Sequence, residues 1–370
     1  MKIIADKNIP YLKGVAESFG DITYLDGAAF TNETIKDADT LIVRTVTRFD
    51  EALLRNTNVK LICSATIGYD HIDTNYCDAH NITWQNAPGC NSGSVMQYVI
   101  SSLIIISREK GFDLKEKIIG IVGVGNVGKK VARACEILGM KVLLNDPPRQ
   151  KQEGTNGFTD LETIKTEADI ITFHTPLAKD GEYKTYHLAD EAFFSSLSKK
   201  PIIINSARGS IIDTQAIKNA IKEKEISGAI IDCWENEPTI DTEYMSLADI
   251  ATPHIAGYSA DGKANASRMS LEAVVGFYGL NKAPISKISV PEPVKPIIDL
   301  NKCGETGNRI YDAILATYNP IEDHHKLKAY PSIFKQLRNE YPLRREYFAY
   351  KVKNATIEEQ DILIQMGFLK

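Results

Sequence analysis

The chain has 370 residues, enough for two or three domains at roughly 100 to 200 residues each. Its apolar share of 43% is that of a globular protein able to fill real cores. A formal charge of -5 over this length supplies no electrostatic grip on nucleic acid or an anionic membrane, which argues against both as partners.

The N-terminal MKIIADKNIP lacks a basic stretch followed by a long apolar run, so no secretory signal is expected. The most apolar run, 99–106, is broken by Ser101 and Ser102 and falls far short of the ~18 residues of a membrane span. Six cysteines are scattered without a C-x-x-C pair, and no histidine stands at finger-like spacing. They read as reduced, mostly buried thiols of a cytoplasmic protein, with no metal site expected.

In chain order, residues 2–5, 40–43 and 60–64 read as buried strands, each followed by a polar or helical segment. A stronger series opens with a long helix over 94–108, then strand 118–122, helix 126–138 and strand 141–145. Strands follow at 170–173, 202–205 and 228–231, with a helix at 214–224 between the last two. This alternation predicts parallel sheets with helices on both faces. Near Lys282 the texture changes: Pro284, Pro291, Pro293 and Pro296 mark a linker. Residues 303–370 are richer in charge and Tyr, with a helical run at 332–339 and a strand-like run at 346–352. The expected fold class is α/β, with two doubly wound parallel-sheet (Rossmann-like) domains and a small α+β C-terminal domain.

The segment IIGIVGVGNVGKK holds G-x-G-x-x-G as Gly123, Gly125 and Gly128, with Asn126 and Val127 inside it. A predicted strand precedes the motif and a predicted helix follows. In that setting the first glycine makes the turn, the second lets a pyrophosphate approach the backbone, and the third lets helix and strand pack closely. The phosphates then rest on the amide-rich helix start. Asp146 ends the next strand, 18 residues after Gly128. A carboxylate there accepts bonds from ribose hydroxyls and repels the extra phosphate of NADP, so NAD is the expected cofactor.

Three islands follow: INSARGS ending a strand, DCWENEP after the next strand, and TPHIAGYS. Taken singly, Arg208 reads as a surface or capping residue, His254 as a buried structural histidine and Glu237 as part of a solvated loop. Taken together they supply a planar cation for a carboxylate, a base that works near neutrality, and a carboxylate to hold that base. The other histidines read as structural.

These islands resemble the D-2-hydroxyacid dehydrogenase family, whose motifs end in an Arg, a Glu and a His. The resemblance covers about residues 1–285 and implies Arg208, Glu237 and His254 as the catalytic set. It also implies cofactor contacts at Thr175, Ser206, Ala207, Arg208, Asp232 and Gly257, beside Asp146 and the glycine turn. The tail segments IFKQLRNEYPLRREY and ILIQMGFLK, with VRTVTRF and ATIGYDHID near the N-terminus, are similar to a branch of the family that oxidises a phosphorylated 2-hydroxy acid and dimerises through its C-terminal domain. By that similarity Thr45, Thr66 and Tyr258 contact substrate, with Thr45 standing where the branch would carry Ser. Arg44 and Arg48 flank Thr45 and are candidates for the substrate phosphate, against an equally weighted reading as surface charge.

The implied architecture is a discontinuous substrate domain (1–93 and 256–285), an NAD domain (94–255) and a dimerisation domain (286–370). A cleft between the first two would close over the reactants. Two alternatives stand beside this reading: oxidation of 3-phosphoglycerate or reduction of another 2-oxo acid within the family, and a non-enzymatic NAD-sensing corepressor on the same fold.

Overall fold

The structure, a computed structural model, describes residues 1–304 and 307–370. Contacts divide the chain into two compact units, residues 1–91 with 259–292, and residues 92–258 with 293–370.

The first unit is a parallel sheet of five strands in the order β2-β1-β3-β4-β5. They are β1 (Lys2–Asp6), β2 (Asp21–Leu25), β3 (Thr40–Val43), β4 (Leu61–Ser64) and β5 (Thr83–Gln85). The central strands TLIV and LICS are buried throughout, as unbroken apolar runs must be when both faces are covered. The edge strands β2 and β5 escaped the sequence reading. Half-exposed residues make up DITYL and TWQ, and no buried run marks them. The 19-residue helix Ala260–Tyr278 covers this sheet through Ala264, Leu271 and Val274.

The second unit holds six parallel strands in the order β11-β10-β9-β8-β6-β7. They are β6 (Ile118–Val122), β7 (Lys141–Asn145), β8 (Ile170–Phe173), β9 (Ile202–Asn205), β10 (Gly228–Ile231) and β11 (Ile250–Ala251). The chain steps from β6 to one side and then returns to the other, which opens a crevice beyond the C-terminal end of β6, where ligands bind in such sheets. Aspartates at 160, 190, 213 and 241 each accept a bond from a backbone N–H in the first turn of the next helix. Each thereby satisfies a donor the helix leaves open.

Helix α1 (Ser92–Lys110) runs two residues further at each end than expected, and helix α2 is Asn126–Ile137. Apolar residues surround α1, so it is buried on all sides. Residues of the tail, among them Ile314, Tyr347, Leu363 and Phe368, join the same core as α1 and α2. Two short parallel strands, β12 (Ile297–Asp299) and β13 (Lys351–Lys353), pair in the tail. The strand-like run at 346–352 therefore yields only β13, because Tyr347–Ala349 forms a 3-10 turn. The helical run at 332–339 begins with a 3-10 turn at Pro331–Ile333, and helix α3 is Phe334–Asn339.

Candidate active site

The glycine turn joins β6 to α2 and is made almost entirely of backbone. Gly123 has φ of +92°, in the region L side chains avoid. A Cβ on Gly128 would collide with the Gly123 carbonyl, so the helix can seat against the strand only without a side chain there. At Gly125 a Cβ would meet nothing within 4 Å, and Asn126 beside it is exposed, leaving the start of α2 open to a ligand.

Asp146, at the end of β7, accepts from the Val124 N–H at 2.8 Å and from the Arg149 N–H at 3.1 Å. Its carboxylate is thus fixed against the glycine turn, with lone pairs left for hydroxyl donors. Arg149, the nearby cation that could have welcomed a 2′-phosphate, is committed to Glu153 at 2.6 and 2.7 Å and to the Val124 carbonyl at 2.6 Å. At the ends of β8 and β9 the hydroxyls of Thr175 and Ser206 are sealed from solvent and find no partner among the described residues. Buried polar groups without partners are rare and need a reason. Here, in the crevice beside the glycine turn, a dinucleotide supplies one. The residues present fit NAD.

Arg208 follows β9. Its loop is tied by the Asn205 amide, which donates to the Arg208 carbonyl at 3.0 Å. A Cβ on the next residue, Gly209, would overlap the Trp234 backbone, so this glycine lets the loop after β9 lie directly on the loop after β10. Trp234 anchors the second loop: its indole N–H donates to the Thr252 carbonyl at 2.9 Å, and its backbone N–H to Glu237 Oε1 at 2.9 Å.

Glu237 and His254 meet across these loops. His254 Nδ1 stands 2.7 Å from Glu237 Oε2 and 3.0 Å from Oε1. Burial opposes ionisation of Glu237. The bond and charge of His254, the Trp234 N–H and the Arg338 charge outweigh it, so the carboxyl lies below its ordinary range. His254 itself has φ of +55°, a conformation uncommon for any residue with a side chain and held here by its surroundings. Asp232 does much of that holding. Its Oδ1 accepts from the Thr252 hydroxyl at 2.6 Å and the Ile255 N–H at 2.8 Å, and its Oδ2 from the Ala256 N–H at 2.9 Å. The sequence reading gave Asp232 a cofactor role and did not foresee this loop-holding one. Burial raises its pKa above the ordinary value, against the pull of His254 and these donors.

Cys233 Sγ, a Glu237 oxygen and a His254 nitrogen lie within 4.8 Å of one another, a spacing a metal could use. Burial first, then Asp232 and Glu237, push the Cys233 thiol well above its usual range, while Arg208 and Arg338 pull the other way. A protonated thiol is a poor ligand, and the nitrogen that faces Glu237 is already used. The cluster is better matched to proton transfer.

The tail enters this region, which sequence reasoning missed. Arg338 Nη1 on α3 stands 3.6 Å from Glu237 Oε2, and its guanidinium lies 5.6 Å from the Tyr258 ring centre. Tyr341 meets Tyr258 edge to face at 5.9 Å. Buried Arg344 donates to the carbonyls of Ile255, Ala256 and Ser94. His324 Nδ1 accepts from the Ala251 N–H at 2.9 Å. The RNEYPLRREY segment was singled out for its similarity, but nothing in its spacing ties it to residues so distant in the chain.

In the first unit, Thr45 is exposed in the loop after β3. The Thr66 hydroxyl lies 2.7 Å from that of Ser64 and donates to the Gly68 carbonyl at 3.0 Å. Arg44 forks onto buried Asp6 at 3.0 and 3.3 Å, which cancels much of its charge and weakens it as a phosphate ligand. Arg48 is 74% exposed and pairs with Asp50 at 3.3 Å. Gly257 is half-buried beside Tyr258. His174, expected to be structural, bonds Thr172 at 3.0 Å and is driven by burial down to about 3.

Residues 104–256 match the family model described as D-isomer specific 2-hydroxyacid dehydrogenase, NAD binding domain. Residues 290–367 match a domain of unknown function. A protein of Bacteroides thetaiotaomicron named erythronate-4-phosphate dehydrogenase is 52% identical over 95% of this chain and 99% of its own length. One of the same name from Porphyromonas gingivalis is 46% identical over the whole of both chains. In fold, a D-lactate dehydrogenase of Aquifex aeolicus, solved with NAD and lactic acid, superposes with a TM-score of 0.63 at 24% identity, covering 79% of this chain and 100% of that one.

Proposed function

The chain belongs to the D-isomer specific 2-hydroxyacid dehydrogenase family and is an NAD-dependent oxidoreductase; from that premise we propose that it oxidises 4-phospho-D-erythronate to (R)-3-hydroxy-2-oxo-4-phosphooxybutanoate. The names of relatives matching nearly the full chain support this substrate. The reaction would serve pyridoxal 5′-phosphate synthesis, in a cytoplasmic homodimer paired through the tail.

The glycine turn, Asp146, Thr175 and Ser206 would hold NAD, which would supply the acceptor for the hydride on C2 of the substrate. The proton of the 2-hydroxyl must leave with it. His254 takes that proton at Nε2, because Nδ1 is held on Glu237. Glu237 fixes the ring orientation and favours the imidazolium that forms, as a carboxylate on the far nitrogen does. Arg208 clamps the substrate carboxylate with its fork of donors and polarises the reacting oxygen. Thr45, Thr66 and Tyr258 contact the rest of the substrate, and the glycine turn with Asp146, Thr175, Ser206, Ala207 and Asp232 holds the dinucleotide. The single observation that carries the mechanism is the 2.7 Å contact from His254 Nδ1 to Glu237, made on a residue of positive φ that two further sets of bonds keep in place.

NADH formation by the purified protein tests the reading. The rates with 4-phospho-D-erythronate, 3-phospho-D-glycerate and D-glycerate are compared, with a 2-oxo acid acceptor in parallel assays in case reduced cofactor stays bound. Preference for the erythronate is expected, and His254→Ala should lower kcat/KM on the order of 10²–10⁴-fold with NAD affinity retained. Preference for phosphoglycerate would keep the mechanism and overturn the substrate. NAD binding without turnover on any hydroxy acid would favour the corepressor.

A further inference from the structure

We propose that Arg338, carried by the C-terminal tail, is a positioning residue for the reaction: it shares the Glu237 oxygen that grips His254 and thereby sets the pH below which the base stops working. The proposal rests on the acid–base reading of Glu237 and His254. It gives the matched domain of unknown function a part in the chemistry besides any part in pairing two chains.

The geometry begins with one oxygen. Glu237 Oε2 lies 2.7 Å from His254 Nδ1 and 3.6 Å from Arg338 Nη1, so a single carboxylate faces two cations whenever the imidazole is charged. Glu237 is only 18% exposed and Arg338 28%, so water screens the three groups weakly. Arg338 is held for this task by stacking, not by a private ion pair. Its guanidinium lies over the rings of Tyr258 at 5.6 Å and Phe334 at 6.0 Å, and its buried Nε has no partner among the described residues. Glu237 is the carboxylate within ion-pair reach of it among those residues. The surface beneath is tied down: Tyr341 packs edge to face on Tyr258, and Arg344 donates to the carbonyls of Ile255 and Ala256, immediately after His254.

The electrostatic consequence has a definite sign. Glu237 favours the imidazolium. Arg338 draws on the same negative charge and repels the imidazolium directly, so it favours the neutral ring that accepts a proton. Other ionisable groups stand close by, beginning with Tyr258 under the guanidinium itself. Asp232 is locked by its three loop donors, and burial keeps the Cys233 thiol neutral. Burial likewise raises Tyr341, whose hydroxyl is spent on Asp323. Arg208 remains a cation at any working pH. The imidazole is then the group that Glu237 and Arg338 address together, and Arg338 is the tail's lever on it.

The test is the pH profile of kcat/KM for NADH formation by the full chain. In Arg338→Gln the acid limb should move upward by about half a pH unit, roughly a threefold loss at pH values on that limb, with a much smaller change on the plateau. Arg338→Lys keeps a charge on a differently shaped stem, and its limb should lie between the other two. A residue that only packs would lower the plateau or the thermal midpoint and leave the limb in place. A limb unmoved in Arg338→Gln overturns the proposal. Should that variant fail to fold, Arg338→Met removes the same charge on a stem of similar length, and an unmoved limb there overturns the proposal equally. His254→Ala is run alongside: if it keeps wild-type turnover, the base reading itself fails, whereas an inactive His254→Ala beside an unmoved limb removes only the role of Arg338.

Discussion

The glycine turn at 123–128 and the acid–base loops at 232–258 both extend from the C-terminal ends of strands in one sheet, yet they are made in opposite ways. The turn is local and built of backbone: Gly123, Gly125 and Gly128 shape it by the side chains they lack, and Asp146 steadies it through the Val124 N–H. The loops are assembled from side chains far apart in the chain. Glu237 meets His254, Asp232 ties Thr252, Ile255 and Ala256, and Arg338 and Arg344 arrive from the tail. Their two acids show what such assembly achieves. Asp232 and Glu237 stand on one loop, the first buried and the second partly so, but the net shift raises one carboxyl and lowers the other. Asp232 is bonded by neutral donors and feels the charge of His254 without bonding its ring. Glu237 bonds that ring and also has the Arg338 charge, and these overcome the burial that opposes both.

The largest effect should come from breaking the charged partnership. Glu237→Gln keeps the size of the side chain and removes its charge, so the imidazolium loses its counter-ion although an amide oxygen can still accept from Nδ1. A fall in kcat/KM on the order of 10²–10³-fold is expected, with NAD affinity nearly unchanged, as read from steady-state rates and a binding titration. A loss of NAD affinity as large as the loss in rate would show that the two regions are not separable.

The complementary variant attacks the turn. Gly128→Ala places a methyl against the Gly123 carbonyl, where backbone must move. Overpacking of this kind costs about 1–3 kcal/mol, so NAD binding should weaken on the order of tenfold. At saturating NAD the acid limb of the rate profile should stay where it is, because nothing in the turn touches Glu237 or His254. A shifted limb would contradict the separation drawn here.

The contrast also explains what the sequence could reveal. The turn was legible because its physics is contained in a short stretch: strand, three glycines, helix, then an acid at the end of the next strand. The catalytic set was legible through residue type and order, since Arg208, Glu237 and His254 each close a recognisable island. Buried runs such as TLIV and LICS announced their strands, while the half-exposed DITYL and TWQ did not. The bonds of Arg338, Arg344 and His324 were not legible, because they depend on the tail packing into cores built by distant elements, with Leu327 and Phe334 beside Trp234 and Ala251, and Tyr347 and Phe368 beside α1 and α2. Arg44 shows the same limit from the other side. The sequence left it between a phosphate ligand and a surface charge, and could not show that the neighbouring strand β1 supplies Asp6 as its partner.

The smallest effect concerns the tail's hold on β11, through His324. Its Nδ1 accepts the Ala251 N–H, which requires a neutral ring at that nitrogen. Burial, helped by Lys328 and His325, lowers it from 6.5 to about 4. A base depressed in the folded state takes up its proton more readily when unfolded. The stability tied to His324 is therefore complete above 6.5 and declines as pH falls from there toward about 4. In His324→Gln an amide oxygen can still accept the bond but does not titrate over this range. The variant's stability should fall less steeply across that window, by at most about one proton in the uptake on unfolding. Thermal midpoints measured at intervals through the window read this directly. Parallel curves for the two proteins would mean that the tail grips β11 by packing alone, leaving the Arg338 contact as its charged connection to the catalytic loops.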